Sequence, residues 1–236
     1  MSELLTLNPE RTLQIKCVGN EKTPVIIIDD LLLAPKVFEA HASAESGFDD
    51  VQGAFYPGKR KALPRHYIID ILRSIYQKIV QVYNIPTALQ LKPQAGYYSL
   101  VTQQPSTLTT LQRIPHFDAV QPYYFALLHY INPSQHGGTG FFRDNTTQYE
   151  RITPARETAY LHSAKHYIEH IAQPKMRYIT ESTEQFTLYN QVDYRPNRLV
   201  IYPGNLLHSG LIIPDRDISA DPTEGRLTAN IFIEFK

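Results

Sequence analysis

The chain has 236 residues, with 23 Lys plus Arg balanced by 23 Asp plus Glu, and a single cysteine, Cys17. Zero formal charge gives no support to a nucleic-acid or membrane-surface partner, and one cysteine leaves no internal disulfide. The N-terminus lacks a secretory pattern and no apolar run approaches the roughly 18 residues of a membrane span, so a cytoplasmic protein is expected.

In chain order, Val25 to Ile28 is a short apolar run that reads as a buried strand. Pro35 fits the first turn of a helix through Val37, Phe38 and Ala42. Residues 50–64 read as a loop, with a turn at Tyr56-Pro57-Gly58 and a basic cluster at Lys59-Arg60-Lys61 that is either solvated or faces an acidic group. Residues 65–84 form the clearest helix: Ile68, Leu72, Ile75, Ile79 and Val82 share a face, and Pro86 ends it. From Leu89 the pattern becomes strand after strand: Tyr97–Thr102, the His116 stretch, Tyr123–Ile131, and a run from Gly137 to Phe142 entered through glycines that permit a tight approach. Residues 144–175 interrupt it, with a helix over Glu157–Gln173 that carries His162, His166 and His170 one above another. That spacing suits either a second metal site or a polar helix face; no cysteine or carboxylate completes a tetrahedron nearby in sequence, which favours the polar face. Strands resume at Phe186–Tyr189, Arg198–Tyr202 and Leu227–Phe235.

The expected class is mainly β with α: a single α+β domain over 1–236. An N-terminal α/β support to about residue 94 would brace a jelly roll or two-sheet sandwich over 95–236, with a helical insertion near 144–175.

His116 and Asp118 lie two residues apart, which on a strand places both side chains on one face, roughly 7 Å apart along the backbone. Imidazole plus carboxylate makes two-thirds of a facial triad for Fe(II). His208, after the turn Pro203-Gly204, is the best third ligand. On the last strand Arg226 and Thr228 share a face, and an Arg pointing into a barrel needs an anionic partner, whereas an Arg at the strand's start would stay in solvent.

His116-x-Asp118, Gly137-Gly138-Thr139-x-Phe141, Asn197-Arg198-Leu199-Val200-Ile201-Tyr202-Pro203 leading to His208, and Gly225-Arg226-Leu227-Thr228 together resemble the 2-oxoglutarate/Fe(II)-dependent dioxygenases, in particular the prolyl-hydroxylase-like subgroup. The resemblance covers about residues 95–236. It implies a double-stranded β-helix, cupin-like, with Fe(II) held by His116, Asp118 and His208. It implies 2-oxoglutarate and O₂ as cosubstrates, with Arg226 on the distal carboxylate and Tyr130 and Thr228 assisting. The spacing from His208 to Arg226 is longer than is usual in that family, so Pro214 to Glu224 must loop out; Arg216 is a nearer rival. In the related fold the open end of the barrel is bordered by the segment before the core and by the loop after the fourth strand. There Tyr56, Arg60 and Arg143 are the side chains best suited to hold a polar or acidic group of a small-molecule or peptide substrate. Two other readings stay open at this point: a metal-dependent jelly-roll enzyme that uses no keto acid, and a non-catalytic jelly roll that binds a ligand.

Overall fold

The computed structural model describes residues 6–44, 47–50 and 56–236. The strands are β1 (Thr12–Val18), β2 (Thr23–Asp29), β3 (Asp49–Asp50), β4 (Gly58–Ala62), β5 (Leu91–Val101), β6 (Tyr124–Tyr130), β7 (Thr139–Asp144), β8 (Phe186–Val192), β9 (Leu199–Pro203), β10 (His208–Gly210) and β11 (Leu227–Phe235). The helices are α1 (Pro35–Ala44), α2 (Arg65–Tyr83), α3 (Glu157–His170) and the single turn α4 (Pro214–Asp217).

Two antiparallel sheets form. The large one has the order β1-β2-β9-β6-β11-β5-β4-β3 and the small one β10-β7-β8. A bridge between His116 and His208 adds one more chain segment to the free edge of the small sheet. From β5 onward the chain visits large, small, large, small, small, large, small and large sheet in turn, which is the winding of a double-stranded β-helix. The inner faces carry Ala126, Leu128, Tyr130, Phe141, Val200 and Tyr202. Alternation along each strand turns the intervening residues outward: Phe125, Leu127, Leu199, Ile201, Leu227, Ala229 and Ile231 pack against Phe38, Tyr67, Ile71, Ile75 and Ile79 of the helices. The helix expected over 65–84 thus lies on the outer face of the large sheet. Each fully buried aliphatic or aromatic side chain there contributes roughly 1.5–3 kcal/mol.

The N-terminal residues do more than brace the core. β2 pairs with β9 and β4 pairs with β5, so they widen the large sheet at both edges. The loop expected over 50–64 is therefore strand from Gly58 to Ala62; its part at 51–55 lies outside the described residues. The sequence Gly-Lys-Arg-Lys-Ala lacks apolar alternation because this strand, flanked outside only by the two-residue β3, leaves its charged side chains partly in water. The His116 stretch is the converse case: it is one isolated bridge preceded by a 3₁₀ turn at Thr110–Arg113, not a full strand.

A buried polar chain ties the helices to the barrel. The hydroxyl of Tyr67 on α2 lies 2.8 Å from Nδ1 of His129 on β6, and Nε2 of His129 lies 3.3 Å from Oδ1 of Asn197. Asn197 sits at positive φ (62°) and bonds both backbone groups of Leu32 at 2.9 Å. Since Oδ1 of Asn197 only accepts, His129 carries its proton on Nε2 and accepts from Tyr67. Burial lowers the His129 imidazole to about 4, against the opposing pull of the Asn197 bond. No helix among the described residues is long and apolar enough to cross a membrane.

Candidate metal centre

Backbone pairing builds the centre. His116 donates its N–H to the carbonyl of His208, and His208 donates back to His116, both at 2.9 Å. The Asp118 N–H donates to the carbonyl of Gly204 at 2.7 Å. Glycine is needed at 204, because a Cβ there would stand 2.5 Å from the ring of Tyr124. These contacts bring one ligand atom each of His116, Asp118 and His208 within 4.8 Å of one another. Nε2 of His116 is 3.8 Å from Oδ1 of Asp118, and Nε2 of His208 is 3.7 Å from Oδ2.

The donor chemistry fits a metal ion. Nδ1 of His208 lies 2.8 Å from the Leu206 carbonyl, which can only accept, so the proton is on Nδ1 and the Nε2 lone pair faces Asp118. Oδ2 of Asp118 is buried with no hydrogen-bond partner, an arrangement that a cation would relieve. Partial loss of water around the ring, then the nearby His208 and Arg60, lower the His116 imidazole below its usual range. Burial also pushes the Asp118 carboxyl up, against the pull of His208 and Arg60. Although 45% of the His116 side chain is open to solvent, Asp118 and His208 are closed in, at 15% and 6%. The centre thus lies at the mouth of the barrel, with Tyr202 packed edge-on against His208 at 4.8 Å.

Arg226 is buried within the barrel. Its Nε donates to the Gly137 carbonyl at 2.7 Å and its Nη2 reaches the Gly138 carbonyl at 3.4 Å. Its guanidinium carbon stands 5.5 Å from the ring of Tyr130 and 5.9 Å from that of Tyr194. Among the described residues no carboxylate lies within ion-pair range of it, and Nη1 has no partner. Arg216, the rival, is exposed on α4. The segment expected to loop out contains that turn of helix instead, and its role is to bury Asp217. Asp217 accepts from Gly137 N–H at 3.1 Å and Ile213 N–H at 2.7 Å, and meets Nδ1 of His136 at 3.0 Å. Burial resists the ionisation of Asp217, but the His136 bond, the Ile213 and Gly137 N–H groups and Arg226 outweigh it and lower its pKa. A Cβ on Gly137 would stand 1.7 Å from the Leu211 carbonyl, so only glycine lets this turn present its carbonyl to Arg226.

Thr228 pairs directly with Tyr130 on one side and Ser99 on the other, and Ser99 pairs with Arg60. Directly paired residues share a face, so Arg60, Ser99, Thr228 and Tyr130 form one inward row across β4, β5, β11 and β6. The Tyr130 hydroxyl lies 2.8 Å from Oγ1 of Thr139. Tyr56 stacks beneath Arg60 at 4.7 Å; its hydroxyl is buried and unpartnered, and burial pushes it up to about 12 against the pull of Arg226 and Arg60. Arg143 does not join this group: it stands 3.7 Å from Glu150 and lies over Tyr189 at 5.8 Å, so its charge is already matched. His162, His166 and His170 lie on the exposed face of α3. The sequence reading missed His136, Asp217, Tyr194 and Tyr202. Tyr202 was findable from alternation, since it shares the parity of Val200 on an inward-facing strand; the others sit in turns where parity has no meaning.

Strand order and ligand set together define a double-stranded β-helix protein with a candidate two-histidine, one-carboxylate metal centre. The chain belongs to DUF6445, a family of unknown function whose model matches residues 9–233. Comparison with curated proteins gives no match. Similar solved structures include HygX from Streptomyces hygroscopicus with nickel and 2-oxoglutarate bound (TM-score 0.47, 14% identity, covering 91% of this chain and 84% of that one). The viral collagen prolyl hydroxylase vCPH from Paramecium Bursaria Chlorella virus-1, as a 2OG complex, gives TM-score 0.45 and 11% identity over 89% of this chain and 94% of that one. SnoN, a non-heme alpha ketoglutarate dependent epimerase from nogalamycin biosynthesis, gives 0.48 and 13% over 91% and 79%.

Proposed function

We propose that this protein is a non-haem Fe(II)- and 2-oxoglutarate-dependent oxygenase that hydroxylates a small-molecule or peptide substrate. The observation that carries the reading is Arg226, a buried cation in the same barrel as a metal-ligand triad, anchored by two carbonyls and lacking a carboxylate. His116 and His208 would hold the metal through Nε2 and Asp118 through a carboxylate oxygen, a two-histidine, one-carboxylate set suited to Fe(II). When bound, Fe(II) with 2-oxoglutarate supplies oxidation by O₂ with release of succinate and CO₂.

The rest is the work of the chain's own side chains. Arg226 receives the distal carboxylate of the cosubstrate, and its anchoring carbonyls fix the fork so that little rotamer freedom is lost on binding. Tyr130 offers its hydroxyl to the same carboxylate while Thr139 donates to it, and Thr228 lines the floor between Tyr130 and Ser99. Leu128, Phe141, Val200 and Tyr202 form an apolar wall that excludes water from the channel. The metal dication, the Asp118 carboxylate, the cosubstrate dianion and Arg226 sum to zero, and the buried Asp217 carboxylate and Arg60 add one charge of each sign.

The test is an anaerobic titration of 2-oxoglutarate into the Fe(II)-loaded protein, followed by the visible metal-to-ligand charge-transfer band. A saturable band is expected in the wild type. Arg226→Ala should keep its iron and lose about thirtyfold or more in 2-oxoglutarate affinity, because a charge-assisted bidentate contact disappears. Arg226→Lys should recover only part. Iron bound with no band in the wild type would favour a metal-dependent jelly-roll enzyme that uses no keto acid.

A further inference from the structure

We infer that the substrate is an oxyanion: a molecule bearing a carboxylate or phosphate that Arg60 receives inside the barrel. The inference rests on the oxygenase reading and adds the chemistry of the second substrate to it.

Alternation along β4 singles out Arg60 from its basic cluster. Lys59 pairs with Leu100 and Lys61 with Tyr98, both on the outer face packed by the helices. Arg60 pairs with Ser99 in the inward row that runs to Thr228 and Tyr130. Its guanidinium is held between two rings, Tyr56 at 4.7 Å and Tyr97 at 5.1 Å. Two aromatic walls fix the plane of the fork before any ligand arrives.

Held this firmly, Arg60 still lacks an anion. Its Nε is buried without an acceptor, and among the described residues no carboxylate comes within ion-pair range of it. The contrast within the molecule is sharp: Arg143, Arg151, Arg156, Arg195 and Arg198 all have a carboxylate between 2.6 and 3.7 Å away. Among the described residues Arg226 and Arg60 face into the barrel without one, and Arg113, whose Nε is likewise buried without an acceptor, gives its Nη2 to the Leu108 carbonyl. Arg226 faces the cosubstrate and feels the buried Asp217, whereas no carboxylate meets Arg60 directly, and a cation in a partly dry cavity needs a partner. The unpartnered Tyr56 hydroxyl, which feels both Arg226 and Arg60, is a ready second donor to the same anion.

The Nε–H resonance of Arg60 reports directly. Protein carrying Zn(II) and saturating 2-oxoglutarate would be titrated with sodium sulfate and, separately, sodium acetate, and followed by nitrogen-15 NMR, with the Arg60 signal identified by its loss in Arg60→Gln. A saturable shift with either probe is expected; sulfate outcompeting acetate would mark a tetrahedral oxyanion, the reverse a carboxylate. No saturable shift with either overturns the inference. In parallel, Arg60→Gln should bind 2-oxoglutarate within about threefold of wild type in the Fe(II) titration. A loss as large as that of Arg226→Ala would assign Arg60 to the cosubstrate and also overturn it. The wild-type charge-transfer band is read before either variant, so failure of the oxygenase reading and failure of this one give different results.

Discussion

Asp118 holds a carboxylate oxygen in a closed pocket with nothing to bond it. In the metal-free protein that oxygen is a cost; with a divalent ion it becomes a ligand. Asp118→Asn should therefore not destabilise the metal-free protein and should raise its melting temperature slightly, since an uncompensated charge is removed. Wild type should gain about 3 kcal/mol at a hundredfold excess of metal over its dissociation constant, about 6–12 °C for a chain of this size, and Asp118→Asn should gain almost none of it. Thermal melts with and without Zn(II) or Ni(II) check both halves. His116 and Asp118 were legible in the sequence because two residues of strand-like backbone suffice to juxtapose them. His208 was legible as a ligand type, but its position depends on pairing that no local pattern encodes. Arg226 was uncertain because an Arg at a strand's start has two fates, and the Gly137 and Gly138 carbonyls that decide between them belong to another strand's entry.

The turn between β6 and β7 acts as a socket for that arginine. Gly137 gives its N–H to Asp217 and its carbonyl to Arg226, so α4, the turn and the start of β11 are one hydrogen-bonded unit. Gly137→Ala should collapse it, because the added methyl group meets the Leu211 carbonyl. We expect a loss of about 2–4 kcal/mol in chemical denaturation, and 2-oxoglutarate affinity falling with it. Asp217→Asn tests the same unit more gently: it keeps one acceptor and places an amide donor against N–H groups, costing about 1–3 kcal/mol. If Asp217→Asn is as stable as wild type, the unit is not built as described. At this scale the glycines read correctly as a tight strand entry, while their carbonyls' task was invisible. β4 escaped notice because a strand of alternating lysine and arginine near the end of a sheet carries no hydrophobic period.

Across the whole molecule, the link Tyr67–His129–Asn197–Leu32 joins helix layer, barrel and the segment between β2 and α1. His129 titrates near 6.5 when unfolded and about 4 when folded, so the unfolded chain binds the extra proton first. Stability is full above about pH 6.5 and falls as pH drops toward 4, by about 3 kcal/mol in total from this residue. The depressed His116 adds to the fall in metal-free protein, whereas the raised Asp118 works against it. Asp217, whose folded pKa is depressed, contributes only below about pH 4. Urea midpoints from pH 7 to 4 should show the slope in wild type and a flatter profile in His129→Gln; parallel profiles would refute the assignment. The layering of helices on a jelly roll was readable from the 3.6-residue period of α2 and from the continuous apolar runs of β6 and β9, which are buried on both faces. The knot of polar groups that locks the layers was not, because each member looks ordinary alone.

The reciprocal bridge between His116 and His208 also fixes when the centre can come into being. These two residues belong to opposite halves of the chain, and their mutual pairing closes a very long loop. A nascent chain that has exposed only His116 and Asp118 offers two ligands on an unpaired segment, with the third not yet made. Metal capture therefore belongs to the end of folding, after the small sheet has recruited β10. Metal uptake at this centre should consequently report completed topology, and a truncated or slowly maturing chain should leave the ion unbound instead of holding it half-ligated.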